Sequence, residues 1–146
     1  MSNTPIHVGL AQAAMQASRV RQLYHQLEEV HHGTRWSKQE DVVGLQSDVG
    51  ELGRLVMGAE GRWMAPDDVR NQLEVKLAEC LWWVFSLSNR LGIDIEHAFV
   101  DKMTELEHEL ALSVANSRKQ KKTTKRKAKN PVPKIEGAAG NGNTAA

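Results

Sequence analysis

The sequence predicts an all-α protein, a four-helix up-down bundle followed by a disordered basic tail. Apolar residues recur every three or four positions in four segments. Short breaks containing glycine or proline separate these segments, and such short connections make neighbouring helices antiparallel. The last part of the chain has few large apolar side chains to bury. We therefore expect a helical domain over residues 1–117 and a tail over residues 118–146.

Local signals mark both ends of the first two helices. Thr4 and Pro5 are typical of a helix start, and Gly33 follows the first periodic segment. Residues 37–40 read Ser-Lys-Gln-Glu, a capping box in which the serine oxygen and the glutamate side chain each bind a free backbone amide. The second helix should begin there and end within residues 58–61, where two glycines occur.

The third and fourth helices have equally clear limits. Pro66 and the two aspartates after it favour a helix start, and Gly92 predicts the end of the third helix. Residues 77–87 are apolar on nearly every side, which indicates the central helix of the bundle. Asp94 is well placed to cap the fourth helix.

Charge is divided unevenly along the chain. Residues 1–117 hold 10 Lys and Arg against 17 Asp and Glu, a net charge of −7, whereas residues 118–146 hold 9 against 1, a net charge of +8. An acidic body argues against a nucleic-acid-binding fold. The tail alone would give only a weak and salt-dependent contact with nucleic acid.

The sequence predicts a cytoplasmic protein that does not enter a membrane. Cys80 is the lone cysteine and has apolar neighbours, as expected of a small buried side chain in a reducing compartment. The first residues show no basic start followed by an apolar run, so no secretory signal is expected. The densest apolar run, residues 80–87, is far shorter than the ~18 residues that a membrane span requires.

Three carboxylates stand out as candidate metal ligands. Asp48 and Glu51 are three positions apart on the second helix and so share one face, with Gly50 and Gly53 leaving room for a close approach of another helix or a ligand. Glu79 lies in the most apolar part of the third helix, where an unpaired carboxylate is costly. If the two helices are neighbours, the three carboxylates converge into a site for a hard cation such as Mg²⁺. The alternative is an ordinary solvated helix face.

These residues carry a resemblance to a known family. The segments Asp48-Val49-Gly50-Glu51-Leu52 and Leu77-Ala78-Glu79-Cys80-Leu81-Trp82 resemble the MazG-like all-α nucleoside triphosphate pyrophosphohydrolases. The resemblance continues through Asn89-Arg90-Leu91-Gly92-Ile93-Asp94 and Ala98-Phe99 to Lys102-Met103, and it reaches back to Trp36. It covers roughly residues 20–110.

The resemblance implies a Mg²⁺-dependent hydrolase that cleaves a nucleoside triphosphate to a monophosphate and pyrophosphate. Members hold the metal with an E-x-x-E pair on one helix and an E-x-x-D pair on the next. Asp48 and Glu51 match the first pair, and Glu79 matches the last acid of the second. Glu51 would be the catalytic base that assists a metal-bound water. Trp36, Lys76 and Lys102 would contact the substrate.

The chain also departs from the family pattern. Lys76 stands where the second pair has its first acid, and Ser47 stands where a further glutamate often precedes the first pair. Leu106 and Glu107 occupy roughly the places of an Asn and an Arg that help to hold nucleotide. A catalytically weakened or inactive relative is therefore the alternative, either a nucleotide-binding protein or an oligomeric scaffold in which Lys76 replaces the metal. A third possibility is that the bundle oligomerises and the basic tail binds nucleic acid.

The tryptophans leave two further questions open. Trp36 either stacks on a nucleobase or packs the start of the second helix. Trp82 and Trp83 are adjacent and so point about 100° apart around their helix, which prevents both from facing the same core. We expect one of them to contact another subunit of a homo-oligomer, a dimer or a tetramer.

Overall fold

The computed structural model describes residues 8–129, which form four α-helices and contain no strand. The helices are α1 (Leu10–His32), α2 (Lys38–Ala59), α3 (Val69–Leu91) and α4 (Ile95–Lys129). The all-α prediction is confirmed for this part of the chain. The helix start predicted at Thr4 and Pro5 and residues 130–146 of the tail lie outside the described residues.

The helix ends follow the local signals. The Ser37 hydroxyl accepts a hydrogen bond from the Glu40 backbone N–H at 3.2 Å, and the Ser37 N–H donates to the Glu40 carboxylate at 2.6 Å, so both halves of the capping box are present. Gly33 and Gly92 follow α1 and α3 with φ of +72° and +69°, the left-handed conformation that glycine adopts without strain. Asp94 accepts from the N–H of His97 at 3.1 Å and caps α4.

α3 is the central helix of the first unit, which ends at Lys102, because it packs against both α1 and α2. Towards α1, Phe85 is buried in a cluster with the small side chains of Ala14 and Ala17. Trp82 and Trp83 contact different helices of their own chain, whereas the sequence led us to expect one of them at another subunit. The Trp82 indole donates to the Ala17 carbonyl on α1 at 3.2 Å, and the Trp83 indole donates to a carboxylate on α2.

The close helix approach lies at Gly44, not at Gly50 or Gly53. A Cβ added to Gly44 would lie 2.5 Å from Cζ2 of the Trp83 ring. The ring on α3 therefore packs directly against the backbone of α2 at this position, where only glycine leaves enough room. A Cβ at Gly50 or Gly53 would meet nothing within 4 Å among the described residues. The glycine that the packing requires is therefore nearly two turns earlier on α2 than Gly50, the nearer of the two positions that the sequence suggested.

The second unit begins at Met103, and its described part is the continuation of α4 to Lys129. Residues 118–129 are helical, which differs from the tail predicted to start at residue 118. Lys, Arg and Gln have high helix propensity, and no proline occurs before Pro131. The hydroxyls of Thr123 and Thr124 each donate to the carbonyl four residues earlier at 3.0 Å, so both fit within the helix. None of the helices in the described residues is long and apolar enough to cross a membrane.

The glycines of α2 give a test of this packing. We expect Gly44→Ala to lower the free energy of unfolding by about 1–3 kcal/mol, because the added methyl group overlaps the rigid Trp83 ring. Gly50→Ala and Gly53→Ala should raise it by up to about 1 kcal/mol each, because helix propensity improves and the space is open. Urea unfolding of the three variants measures the difference; equal effects at all three positions would contradict the contact at Gly44.

Candidate functional site

The predicted metal ligands do converge, but around a lysine. Asp48 and Glu51 lie on α2, and Lys76 and Glu79 lie on the facing part of α3. The Lys76 Nζ is 3.0 Å from Asp48 Oδ1, 2.9 Å from Glu51 Oε2 and 2.6 Å from Glu79 Oε2. These four side chains, called the acidic cluster below, place one ammonium among three carboxylates.

The carboxylates strongly favour the charged form of this lysine. Hydrogen bonds to Glu79 and Glu51 raise the pKa of Lys76 well above its ordinary value, and these bonds together with Asp48 outweigh the opposing effect of burial. The Lys76 side chain is 14 % exposed, whereas those of Glu51 and Glu79 are close to half exposed. The ammonium is thus the inner member of the acidic cluster, and the glutamates form its outer side.

Mg²⁺ does not fit the acidic cluster together with this ammonium. Mg²⁺ requires oxygen ligands at about 2.0–2.1 Å in octahedral geometry. The three carboxylates instead direct an oxygen each to the Lys76 Nζ, which has only hydrogens to donate and cannot act as a ligand. Among residues 8–129, no group of three or more His, Cys, Asp or Glu side chains is arranged to hold a metal ion.

Asp48 connects the acidic cluster to a row of aromatic rings. Its second oxygen, Oδ2, accepts a hydrogen bond from the Trp83 indole at 2.7 Å. The Trp83 ring stacks on Trp36 with an interplanar angle of 13° and a centroid separation of 6.2 Å. The Trp83 ring also contacts the Trp82 ring, with centroids 4.5 Å apart, and the Trp82 ring contacts the Tyr24 ring, with centroids 5.4 Å apart. Four aromatic side chains therefore form one continuous wall.

This wall lines a cavity of about 770 Å³, called the aromatic groove below. The aromatic groove lies within the first unit, between α1 and α3, and Trp36 lies at its edge on the segment before α2. Its size lies within the range of small-molecule sites. Asp48 and Glu79 also line it, so the acidic cluster and the aromatic groove share residues.

A buried charged network holds the helices that frame the groove. Asp41 on α2 is fully buried and accepts hydrogen bonds from Arg21 on α1, at 2.8 Å, and from Arg90 on α3. Arg21 also donates to Glu28 at 2.7 Å. Hydrogen bonds from Arg21 and from the Trp36 N–H lower the pKa of Glu28, although partial burial acts in the opposite direction.

This charged network was not predicted from the sequence, although one feature of α1 indicated it. Ala14, Ala17 and Arg21 follow one another at three and four positions on α1, which is the spacing of a buried helix face. Charged residues are rarely buried unless paired, so an arginine on that face predicts an acidic partner on another helix. The identity of the partner, Asp41, follows only from the packing.

The remaining predicted contacts divide into those at the groove and those outside it. Trp36 lines the groove and is 39 % exposed, and its backbone is held by Glu28 and by Arg90, which donates to the Trp36 carbonyl at 2.9 Å. Lys102 is exposed on α4 and is not among the residues that line the groove. Cys80 is half-buried, and burial raises the pKa of its thiol, which fits the expected unreactive role.

Comparisons with models of protein families, with curated proteins and with solved structures found no match. The MazG-like resemblance therefore stays a prediction from the residues that carry it.

The buried network predicts a large loss of stability on removal of its acid. Asp41→Ala leaves two arginines without their shared partner, and we expect it to lower the free energy of unfolding by about 3–5 kcal/mol. Glu29→Ala is the matched control, because the Glu29–Arg35 pair is exposed and should contribute at most about 1 kcal/mol. Chemical unfolding followed by circular dichroism compares the two variants; similar losses would show that the network does not hold the helices.

Proposed function

We propose that this protein is a non-catalytic relative of the MazG-like pyrophosphohydrolases that binds a nucleobase or nucleoside in its aromatic groove without a divalent cation. The observation that carries this proposal is the Lys76 ammonium, which occupies the centre of the acidic cluster where a metal would be needed. The sequence allowed this function as an alternative to the hydrolase. Mg²⁺-dependent hydrolysis of a nucleoside triphosphate, with Glu51 as the base, stays a prediction.

The shape and chemistry of the groove support a planar aromatic ligand. Tyr24, Trp36, Trp82 and Trp83 offer ring faces and edges along one wall. Stacking of a base on an aromatic side chain contributes about 1–3 kcal/mol and tolerates any base. Trp36 is the best candidate for that contact, because it is the partly exposed end of the stacked pair with the buried Trp83.

The charges at the groove favour a nucleoside over a triphosphate. Among the described residues that line the groove, Arg21 is the one Lys or Arg. Its guanidinium already binds Glu28 and Asp41. Asp48, Glu79 and Glu28 add negative charge to the lining. A triphosphate would meet carboxylates there without the Mg²⁺ that normally offsets its charge, whereas an uncharged base and sugar would not.

We also propose that the protein is a homo-oligomer. Within residues 8–129, only three large apolar side chains are buried, namely Leu55, Trp83 and Phe85, whereas 27 are exposed. Exposed apolar surface of this extent is typical of chains that pack against further subunits. α1 is the clearest case, with Leu23, Leu27 and Val30 each more than half exposed.

A second candidate function is contact with nucleic acid through the basic end of α4. Residues 118–129 contain eight Lys and Arg and no acid, so phosphate groups would be attracted by charge alone. This contact would be independent of the aromatic groove.

Ligand binding is tested by isothermal titration of the full chain with adenosine, uridine and their triphosphates in the presence of EDTA. We expect a nucleoside to bind more tightly than its triphosphate, because in EDTA no metal offsets the phosphates and the one arginine in the groove lining, Arg21, is already paired with carboxylates. Trp36→Ala should weaken nucleoside binding by about 1–3 kcal/mol through the loss of stacking. Trp63→Ala is the control, since Trp63 is exposed and does not belong to the groove lining.

The same protein, incubated with Mg²⁺ and nucleoside triphosphates, distinguishes binding from hydrolysis. Absence of pyrophosphate release supports the proposal. Pyrophosphate release by wild type that is lost in Glu51→Gln would overturn the proposal and support the hydrolase function instead.

Oligomerisation predicts a mass in solution that is a multiple of the protomer mass. Size-exclusion chromatography with light scattering measures this mass directly. A monomer at all concentrations would contradict the proposal, because the exposed apolar faces would then have no partner.

A further inference from the structure

We infer that the aromatic groove selects a planar cation, so that its preferred ligand is a nucleoside whose base carries a positive charge. The inference rests on the proposed function, because it names the class of nucleoside that the groove binds. Exposed ring faces, an existing contact between a cation and a ring, and an excess of carboxylates carry it.

The wall of the groove offers ring faces more than hydrogen-bond donors. The indole N–H groups of Trp82 and Trp83 already donate, one to a backbone carbonyl of α1 and the other to a carboxylate of α2. Trp36 and Tyr24 are partly exposed, so their rings are open to a ligand. The face of an aromatic ring carries partial negative charge and attracts a cation within about 6 Å of its centre. A cationic base gains this attraction in addition to stacking, whereas a neutral base gains stacking alone.

The wall already binds one cation in this way. The Arg21 guanidinium carbon lies 5.9 Å from the centre of the Trp83 ring. Arg21 is buried and held by Glu28 and Asp41, so this cation is a fixed part of the groove. Trp83 is buried as well, and the ring stacked on it, Trp36, is the exposed one of the pair. A cation from a ligand would therefore contact Trp36.

Carboxylates outnumber cations around the groove. The acidic cluster and the buried charged network together hold five carboxylates and three cations, a formal net charge of −2. Three of these carboxylates, Glu28, Asp48 and Glu79, line the groove together with Arg21, the one Lys or Arg among its described lining residues. A cleft lined by charge of one sign concentrates ligands of the opposite sign. A ligand with one positive charge would offset part of this excess, which a neutral base leaves in place.

Glu79 is the carboxylate best placed to meet such a ligand. It lies three residues before Trp82 on α3, so the two side chains share one helix face. Among the described residues Glu79 forms an ion pair with Lys76 alone, whereas Asp48 binds both Lys76 and the Trp83 indole. The Glu79 side chain is also close to half exposed. A cation stacked on the aromatic wall would therefore lie beside an acid that can accept further hydrogen bonds.

The experiment titrates the full chain with two isomers in EDTA and measures each affinity by isothermal titration. N1-methyladenosine carries a positive charge on its base at neutral pH, whereas N6-methyladenosine has its methyl group on the exocyclic nitrogen and a neutral base. We expect N1-methyladenosine to bind about tenfold more tightly, because a cation–π contact and the nearby carboxylates add to the same stacking. Choline, a cation without a planar ring, should bind more weakly than N1-methyladenosine.

Glu79→Gln tests the carboxylate with little change of shape. It should reduce the preference for N1-methyladenosine by about threefold or more and leave the affinity for N6-methyladenosine nearly unchanged, because only the charged base loses an attraction. Glu74→Gln is the matched control, since it removes the same charge from an exposed position of α3 that pairs with Arg70 and is not part of the groove lining. This variant should keep the full preference. The comparison of the isomers on wild type does not depend on the folding of either variant.

The outcomes separate this inference from the proposed function. Equal affinity of wild type for the two isomers, or tighter binding of the neutral one, would overturn the inference and leave nucleoside binding in place. If no nucleoside binds, charged or neutral, the proposed function fails and the inference fails with it. Choline bound as tightly as N1-methyladenosine would show that the groove recognises charge without a planar ring, and a full preference in Glu79→Gln would show that the carboxylate adds nothing; each result would overturn the inference.

Discussion

The arrangement of the first three helices depends on one buried carboxylate. Asp41 on α2 binds Arg21 from α1 and Arg90 from α3, so a single side chain joins three helices. A buried charge must be paired, because desolvation of an unpaired ion costs several kcal/mol. The placement of the helices in the structure pairs all three groups. The network therefore fixes which faces of α1 and α3 meet α2, in a unit where few large apolar side chains are buried.

The acidic cluster and the aromatic groove follow from that placement. Once α2 and α3 are held face to face, Gly44 admits the Trp83 ring, and the Trp83 indole reaches Asp48. Asp48 then contacts both Trp83 and the Lys76 ammonium. Asp48 thus links the charge at the centre of the cluster directly to Trp83 in the wall of the groove.

In the acidic cluster an ammonium lies among three carboxylates. A divalent cation and an ammonium have a similar electrostatic effect, since each offsets the repulsion between carboxylates that lie close together. The cation leaves coordination positions open for water and phosphate, whereas the ammonium uses its hydrogens on the carboxylates themselves. Carboxylates that bind an ammonium in this way leave no open coordination position for water. The proposed binding by stacking in the groove does not need such a position.

The sequence by itself determined the helical class and most helix ends, because these follow from periodicity, capping residues and short connections within a few positions of each other. It predicted the convergence of Asp48, Glu51 and Glu79 only on the condition that the second and third helices are neighbours. It also showed that a lysine, Lys76, stands where the family pattern has an acidic residue. Only the tertiary structure decided that Lys76 lies inside the cluster, that α2 and α3 make their close contact at Gly44, and that Arg21 pairs with Asp41. These facts depend on the rotation of one helix against another, which is set by contacts between residues far apart in the chain.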